Sequence, residues 1–188
     1  MLIRTLLLSL FVLAGPASAQ PASELIGRLR EGGYVLYLRH TSTDFSQNDA
    51  KMTSFEDCAS QRNLTDRGRD EARAIGEHVK RLKIPIGEVL ASPFCRTMET
   101  ARLAFGKAKA TNEVRGGPAS DTGERYGALK KLLSSRVPKG TNLVISSHGN
   151  PFHAVAGPPY LAEGEIAVVR PAGGGRFSVI ARIPLAGW

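Results

Sequence analysis

The stretch 34–40, YVLYLRH, is an unbroken apolar run that ends abruptly in two basic residues. A continuous apolar run of this length predicts a β-strand covered on both faces, as in a parallel sheet. Two further strands are predicted at 86–91 and 141–147, each with a shorter apolar run. We therefore predict a buried sheet, with Arg39 and His40 at the carboxyl end of its first strand.

Helical patterns alternate with these strands. Apolar positions recur at spacings of three and four after Thr65, a good N-cap, and Ser92-Pro93 is expected to open a second helix. A third helix is predicted over 121–136. The last two strands, about 165–170 and 176–183, flank a glycine-rich turn. The sequence thus predicts one α/β domain, a three-layer sandwich with a largely parallel sheet, helices on both faces and a C-terminal edge hairpin.

Length and composition limit the class of protein. The chain has 188 residues, of which 42% are hydrophobic and 22% charged, which suits one packed domain rather than a disordered chain. The net charge of +8 favours an anionic partner, such as a phosphorylated substrate. Because the basic residues are scattered and only 6% of residues are aromatic, a nucleic-acid-binding surface is not predicted.

The N-terminus carries the three-part pattern of a secretory signal peptide. A basic residue precedes an apolar run at 6–14, and the small residues at 17–19 form an A-x-A cleavage site. We expect residues 1–19 to be removed and residues 20–188 to form a single exported domain. That domain would be periplasmic and would have no stable membrane anchor. The alternative is an uncleaved anchor helix.

Export bears on the two cysteines, Cys58 and Cys95. In an oxidising compartment a pair of cysteines is more often bridged than free. A bridge between them would close a separation of 37 positions and would stabilise the fold by about 4 kcal/mol on the chain-entropy model. The alternative, two buried thiols, stays open because the sequence does not give their separation.

Cationic groups follow three of the predicted strands. The first strand ends in Arg39-His40, the second is followed by Arg96 in the segment SPFCR, and the third ends at His148. Ligands of open α/β sheets bind at the carboxyl ends of the strands. The three strand ends therefore predict a pocket for a phosphoryl dianion, which arginine binds with two parallel hydrogen bonds.

The same segments resemble those of the histidine phosphatase (phosphoglycerate mutase-like) superfamily. The resemblance is carried by LRH at 38–40, NLTDRGR at 63–69, SPFCRTMETA at 92–101 and SHGN at 147–150. They follow the family's order and extend over roughly residues 34–160. An Asp directly after the second histidine would mark the acid phosphatase and phytase branch, and Gly149 stands there, so the mutase-like branch is favoured.

The resemblance implies a phosphohistidine mechanism that needs no metal and no cofactor. His40 would attack the phosphorus and be phosphorylated, and water would then hydrolyse the intermediate. Arg39, Arg96 and His148 would stabilise the charge on the transferring oxygens.

The resemblance also nominates the remaining site residues. Glu113 stands in the segment that resembles the family's general acid, with Glu56 and Asp57 as rivals. The expected substrate contacts are Thr43, Asp44, Arg62, Gly149 and Asn150. Thr41 replaces the glycine that usually follows the catalytic histidine, and its side chain is expected to narrow the space beside the phosphate.

These observations predict an exported phosphomonoesterase that acts on a phosphorylated small molecule or glycan through a phosphohistidine on His40. The alternative is a non-catalytic module that binds phosphorylated ligands on the same fold, a reading that Thr41 motivates. Retention of His40, which binding alone does not require, weighs against it. A serine hydrolase is disfavoured because the sequence lacks a Gly-x-Ser-x-Gly elbow.

Overall fold

The structure is a computed structural model that describes residues 22–115 and 125–187. The proposed signal peptide and the first residues of the predicted third helix lie outside the described residues. Within them, the helices are α1 (Ala22–Glu31), α2 (Asp66–Arg81), α3 (Cys95–Phe105), α4 (Gly127–Ser134) and α5 (Gly149–Ala156). The strands are β1 (Val35–Arg39), β2 (Ile86–Ala91), β3 (Lys109–Ala110), β4 (Asn142–Ser147), β5 (Ile166–Pro171) and β6 (Phe177–Ile183).

The strands form one mixed, mostly parallel sheet in the order β3-β2-β4-β1-β5-β6. The pairs β1–β4, β2–β4 and β2–β3 are parallel, whereas β5 runs antiparallel to β1 and to β6. The predicted α/β class and the C-terminal antiparallel pair are confirmed. The central strands are buried on both faces, as the continuous apolar runs predicted.

Two hydrophobic clusters cover the two faces of the sheet. On one face, Leu36 and Leu38 of β1 belong to the cluster that contains Ile75 of α2 and Ala101 of α3. On the other, Tyr37 belongs to the cluster of α4 and α5. Because successive residues of a strand point to opposite faces, one strand serves both clusters and produces the three layers.

The register of the parallel strands brings their carboxyl ends to one edge. Arg39 pairs with Ser147 and Ala91 with Ser146. The backbone N–H of His40 then donates to the carbonyl of Ser147 at 2.9 Å. The residues that follow β1, β2 and β4 are therefore neighbours in space.

Three helices differ from the sequence prediction: α3 begins later than expected, α4 spans Gly127–Ser134 where a helix over 121–136 was predicted, and α1 was not predicted. Thr65 caps α2 as expected, accepting a hydrogen bond from the Gly68 N–H. In contrast, α3 begins at Cys95 rather than at Ser92-Pro93. The N–H of Ser92 still donates to the Ser146 carbonyl of β4, which keeps the chain extended for three more residues. Helix α1 was not predicted, although Leu25 and Leu29 lie four positions apart on it, as in an amphipathic helix.

Candidate active site

A polar cavity of about 340 Å³ opens at the carboxyl ends of β1, β2 and β4. It contains the four residues on which the sequence prediction depends, Arg39, His40, Arg96 and His148. Of the predicted substrate contacts, it contains Arg62, Gly149 and Asn150. Its other lining residues are Phe94, Arg115, Arg125, Tyr126, Pro151 and Tyr160.

The His40 ring is held in one tautomer. Its Nδ1 lies 3.0 Å from the Thr41 carbonyl oxygen, and a carbonyl can only accept, so Nδ1 carries the proton. Burial lowers the pKa of His40 to about 3. The positive charges of three neighbouring arginines act in the same direction, whereas the hydrogen bond to Thr41 acts in the opposite one. The ring is therefore neutral near pH 7, and Nε2 keeps a lone pair with which to attack phosphorus.

The carboxylate of Glu163 connects Arg39 and His40 to Thr43, which lies in the loop that follows β1. Its Oε1 accepts a hydrogen bond from the Thr43 hydroxyl at 2.7 Å and lies 3.6 Å from Nη2 of Arg39. The same oxygen lies 3.8 Å from Nδ1 of His40. Glu163 was missed by the sequence analysis, since it lies in a loop more than 100 positions after His40.

Asp49 was also missed, and it binds Arg96. Its two carboxylate oxygens accept from Nη1 and Nη2 of Arg96 at 3.0 and 3.1 Å. Oδ1 also accepts from the backbone N–H of Arg62 at 2.9 Å. Partial burial raises the pKa of Asp49, but the hydrogen bonds from Arg96 and Arg62 outweigh this effect and hold the pKa below its usual value. One carboxylate thus holds the guanidinium of Arg96 and the backbone of Arg62.

His148 faces His40 across the cavity, with ring centroids 5.5 Å apart. It stands at the start of α5, and its Nε2 lies 2.9 Å from the Ser92 hydroxyl. Burial, followed by the charge of Arg96, lowers the pKa of His148 well below its usual value. A neutral His148 carries one N–H, and that N–H is on Nδ1 when Nε2 accepts from the Ser92 hydroxyl and on Nε2 when Nε2 donates to it.

Gly149 and Asn150 shape one wall together with Tyr160. A Cβ atom on Gly149 would lie 2.2 Å from the Tyr160 ring, so only glycine allows this packing. The Tyr160 hydroxyl donates to Oδ1 of Asn150 at 2.6 Å. The Tyr160 ring also lies 5.3 Å from the Arg39 guanidinium.

Thr41 does not narrow the cavity, and this expectation is corrected. Its side chain is fully buried, and its hydroxyl lies 3.2 Å from the hydroxyl of Thr100 in α3. The Thr100 hydroxyl in turn donates to the Arg96 carbonyl at 2.7 Å. Thr41 therefore packs against the helix that bears Arg96 rather than beside the phosphate.

The structure does not bring Glu113 to the cavity wall. Glu113 lies in a short 3-10 turn with an exposed side chain. Thr43 donates to Glu163, and Asp44 lies outside the cavity lining and accepts from Ser46. Glu56 and Asp57 accept from Ser54 and Ser60. Among the described residues, no carboxylate lines the cavity.

A disulfide connects the long loop after β1 to the first turn of α3. It joins Cys58 and Cys95, whose Cα atoms are 5.7 Å apart. The carboxamide of Gln61 accepts from the N–H of Cys95 at 3.0 Å. The bridge thus fixes the loop that carries Asp49 and Arg62 beside Arg96.

In the parts of the chain that the structure describes, no group of three or more His, Cys, Asp or Glu side chains is arranged to hold a metal ion. No helix within residues 22–115 and 125–187 is long and apolar enough to cross a membrane.

Comparisons with known proteins agree with this geometry. A model of the histidine phosphatase superfamily (branch 1) matches residues 35–117. A search of curated proteins found no match.

Three solved structures share the fold. The protein histidine phosphatase SixA complexed with tungstate is 22% identical, with a TM-score of 0.56 over 81% of this chain and 97% of that one. A phosphoserine phosphatase mutant from Entamoeba histolytica, in complex with phosphoserine, is 13% identical, with a TM-score of 0.54 over 79% and 95%. A mycobacterial glucosyl-3-phosphoglycerate phosphatase is 15% identical, with a TM-score of 0.51 over 73% and 89%.

Proposed function

The chain belongs to branch 1 of the histidine phosphatase superfamily, and on this premise we propose that it is an exported phosphomonoesterase acting through a phosphohistidine on His40. Its substrate would be a phosphorylated small molecule or glycan. The observation that carries the proposal is the state of His40, a neutral imidazole whose proton is fixed on Nδ1. A module that only binds phosphate has no need of such a nucleophile.

In the first step, a bond forms between Nε2 of His40 and phosphorus while the bond from phosphorus to the ester oxygen breaks. Arg39, Arg62 and Arg96 line the cavity around His40 and stabilise the charge on the transferring oxygens. The leaving oxygen takes its proton from solvent water. In the second step a water oxygen attacks phosphorus, the Nε2–P bond breaks, and inorganic phosphate leaves.

The imidazole becomes cationic while it carries the phosphoryl group. The carboxylate of Glu163, at 3.8 Å from Nδ1, opposes that positive charge. The hydrogen bond from Nδ1 to the Thr41 carbonyl is retained throughout, because Nδ1 keeps its proton in both steps.

The experiment is phosphate release by residues 20–188 from a panel of phosphomonoesters, with His40→Ala as the control. We expect turnover by the native sequence and none by the variant. A second measurement traps the phosphoenzyme with a labelled ester and maps the label to His40. If esters bind but neither turnover nor label is found, the chain is not a phosphomonoesterase and the proposal is wrong.

A second candidate substrate class is the phosphohistidine of a protein. The observation that favours it is the lack of a lining carboxylate among the described residues. A protonated phosphoimidazole leaves as neutral imidazole and needs no acid, whereas an alkoxide does. One structural neighbour is a protein histidine phosphatase. A phosphohistidine peptide hydrolysed faster than every phosphomonoester would favour this class.

Export is supported by the pattern of residues 1–19 and by the bridge between Cys58 and Cys95, which suits an oxidising compartment. The test is expression of the full chain with its own N-terminus, followed by cell fractionation and N-terminal sequencing. We expect a periplasmic protein that begins at Gln20. A cytoplasmic protein that keeps Met1 would contradict export.

A further inference from the structure

We propose that an exposed basic face at the amino ends of the parallel strands docks the protein on an anionic phospholipid membrane. Three segments, 80–85, 130–141 and 172–176, carry eight basic residues and no acidic one. The attachment would be peripheral and reversible by salt, and the inference does not depend on the chemistry of His40. The residues of the basic face, all of them exposed, are Lys80, Arg81, Lys83, Lys130, Lys131, Arg136, Lys139 and Arg176.

The three segments meet at one edge of the molecule, although they lie apart in the sequence. Segment 80–85 leads into β2 and segment 130–141 leads into β4, so both reach the amino ends of those strands. Asn142, at the start of β4, joins them, because its carboxamide donates to the Pro85 carbonyl at 3.0 Å. Since β5 is antiparallel to β1, it ends at the same edge. There the N–H of Gly173 donates to the Ser134 carbonyl of α4 at 2.9 Å.

Stabilisation of helix ends explains only part of this charge. A cation in the last turn of a helix interacts favourably with the helix dipole, and α2 and α4 both end in such residues. That effect falls off beyond the last turn, where the segments carry four more cations. These are Lys83, Arg136, Lys139 and Arg176. None of the four forms an ion pair with a carboxylate of the described residues, so their charges are directed to the outside.

A groove of about 560 Å³ opens within the basic face, between α4 and the turn that joins β5 to β6. Lys130, Lys131 and Arg136 line it, and no carboxylate of the described residues does. Its other wall is the glycine turn 173–175, where the lack of side chains lets a ligand approach the backbone closely. Lysine and arginine both bind phosphate well. The groove therefore suits the phosphate of a lipid headgroup.

The extent of the basic face favours a membrane surface over a single small anion. Its charges come from three separate turns, and each cation held near an anionic bilayer strengthens binding. The proposed export would place the domain in a compartment bounded by membranes. A bilayer is therefore the extended anionic partner that fits this charge.

Contact with the membrane would be electrostatic and would leave the cavity free. The two large hydrophobic side chains that are exposed among the described residues, Phe45 and Tyr160, lie beside Arg62 and Arg39 of the cavity. They are therefore at the opposite edge, and the basic face offers no large apolar side chain for insertion. Because the cavity opens at the carboxyl ends of the strands, a docked protein would present it away from the bilayer.

The experiment is co-sedimentation with lipid vesicles. Residues 20–188, which hold every described element, are mixed with vesicles of phosphatidylcholine alone or with vesicles that contain about one-third phosphatidylglycerol. Removal of residues 1–19 keeps their apolar run from contributing to binding. The partition coefficient is measured at low and at high concentrations of sodium chloride.

Two triple variants of equal charge separate the basic face from the net charge of the protein. The first removes one cation from each segment and alters no helix; it combines Lys83→Gln, Arg136→Gln and Arg176→Gln. The control removes three exposed cations outside the segments; it combines Lys51→Gln, Arg73→Gln and Lys109→Gln. Thermal melting verifies that both variants are folded before binding is measured.

We expect the native sequence to bind only the vesicles that contain phosphatidylglycerol. An increase from about 0.1 M to about 1 M sodium chloride should release it, because the screening length falls from about 10 Å to about 3 Å. The first triple variant should bind about 100-fold more weakly, since each cation near the bilayer contributes about fivefold. The control should lose less than about fivefold.

Several results would overturn the inference and leave the proposed function untouched, because vesicle binding does not use His40. One is equal binding to both kinds of vesicle, or binding to neither. Another is an equal loss in the two triple variants, which would assign the effect to net charge. A soluble anionic polysaccharide that binds the basic face while vesicles do not would replace the membrane as its partner.

Discussion

The carboxylate of Asp49 accepts hydrogen bonds from both terminal nitrogens of Arg96, at 3.0 and 3.1 Å, beside the cavity where the phosphoryl group is expected to bind. Arg96 is almost fully buried, so Asp49 supplies the counter-charge that its guanidinium needs while no ligand is bound. The same carboxylate restrains Arg62 through its backbone N–H. Asp49 is therefore both a partner and a competitor of a bound anion.

We predict that Asp49→Asn lowers the free energy of unfolding by about 1–3 kcal/mol, a range reduced because Asp49 is partly exposed. Phosphate or tungstate should raise the melting temperature of the variant more than that of the native sequence, because the anion replaces the lost carboxylate. Scanning fluorimetry across an anion titration measures both effects. Glu77→Gln, which neutralises an exposed carboxylate on α2 outside the cavity, is the control and should change neither.

Removal of the disulfide should affect both stability and turnover. The double substitution of Cys58 and Cys95 by serine should lower the free energy of unfolding by about 4 kcal/mol on the chain-entropy model. It should also lower kcat/KM, because the bridge holds the loop of Asp49 and Arg62 beside α3. A reducing agent should have the same effects on the native sequence and none on the double variant. Unchanged turnover in the variant would show that the loop is held by its other contacts.

Much of the site could be predicted from sequence because it depends on strand ends. Arg39, His40 and His148 follow apolar runs directly, and parallel pairing in register brings such positions together. The partner carboxylates could not be predicted in this way. Asp49 and Glu163 lie in loops whose paths are set by tertiary hydrogen bonds, and no periodic pattern marks them.

The direction of a single loop side chain could not be predicted for the same reason, and the role of Glu113 as the acid stays a prediction. Glu113 was nominated by position in a resembling segment, but a 3-10 turn leaves it exposed. Thr41 was expected beside the phosphate, yet its hydroxyl lies against Thr100. The fold class depended on long apolar runs and was predictable, whereas the direction of a single loop side chain was not.

The depressed pKa of His40 predicts acid sensitivity of the fold. In the unfolded chain His40 has its ordinary pKa of 6.5, whereas in the folded chain its pKa is about 3. Between these values the unfolded state binds more protons, so stability falls as pH falls from about 6.5. His40→Gln should flatten this slope by up to about 1.4 kcal/mol per pH unit. Urea unfolding from pH 6.5 to 4.5 measures it, with exposed His153→Gln as the control. Parallel slopes for native and His40→Gln chains would contradict it.

Glu163 should contribute to catalysis through the charge of the phosphohistidine. We predict that Glu163→Gln lowers kcat for p-nitrophenyl phosphate about tenfold, since a neutral amide at 3.8 Å from Nδ1 no longer opposes the imidazolium. The steady-state level of labelled phosphoenzyme should fall in the same variant. Glu165→Gln is the matched control, because it removes a carboxylate of the same loop that accepts from the Ala162 N–H and does not contact His40 among the described residues. A loss of the same size in the control would assign the effect to loop structure instead.

The position of Glu113 predicts how turnover depends on the leaving group. Since its side chain is exposed and no described carboxylate lines the cavity, Glu113→Gln should leave kcat/KM within about twofold for aryl and alkyl esters alike. Alkyl esters should nevertheless react more slowly than p-nitrophenyl phosphate, because an alkoxide departs without a protein acid.

If Glu113→Gln slowed only the alkyl esters, Glu113 would be the acid after all, and its loop would have to turn inward when substrate binds. If alkyl and aryl esters reacted equally fast in both proteins, either phosphoryl transfer would not limit the rate or another group would protonate the alkoxide. Pre-steady-state release of p-nitrophenol separates those two cases, since a burst appears only when a later step is slow.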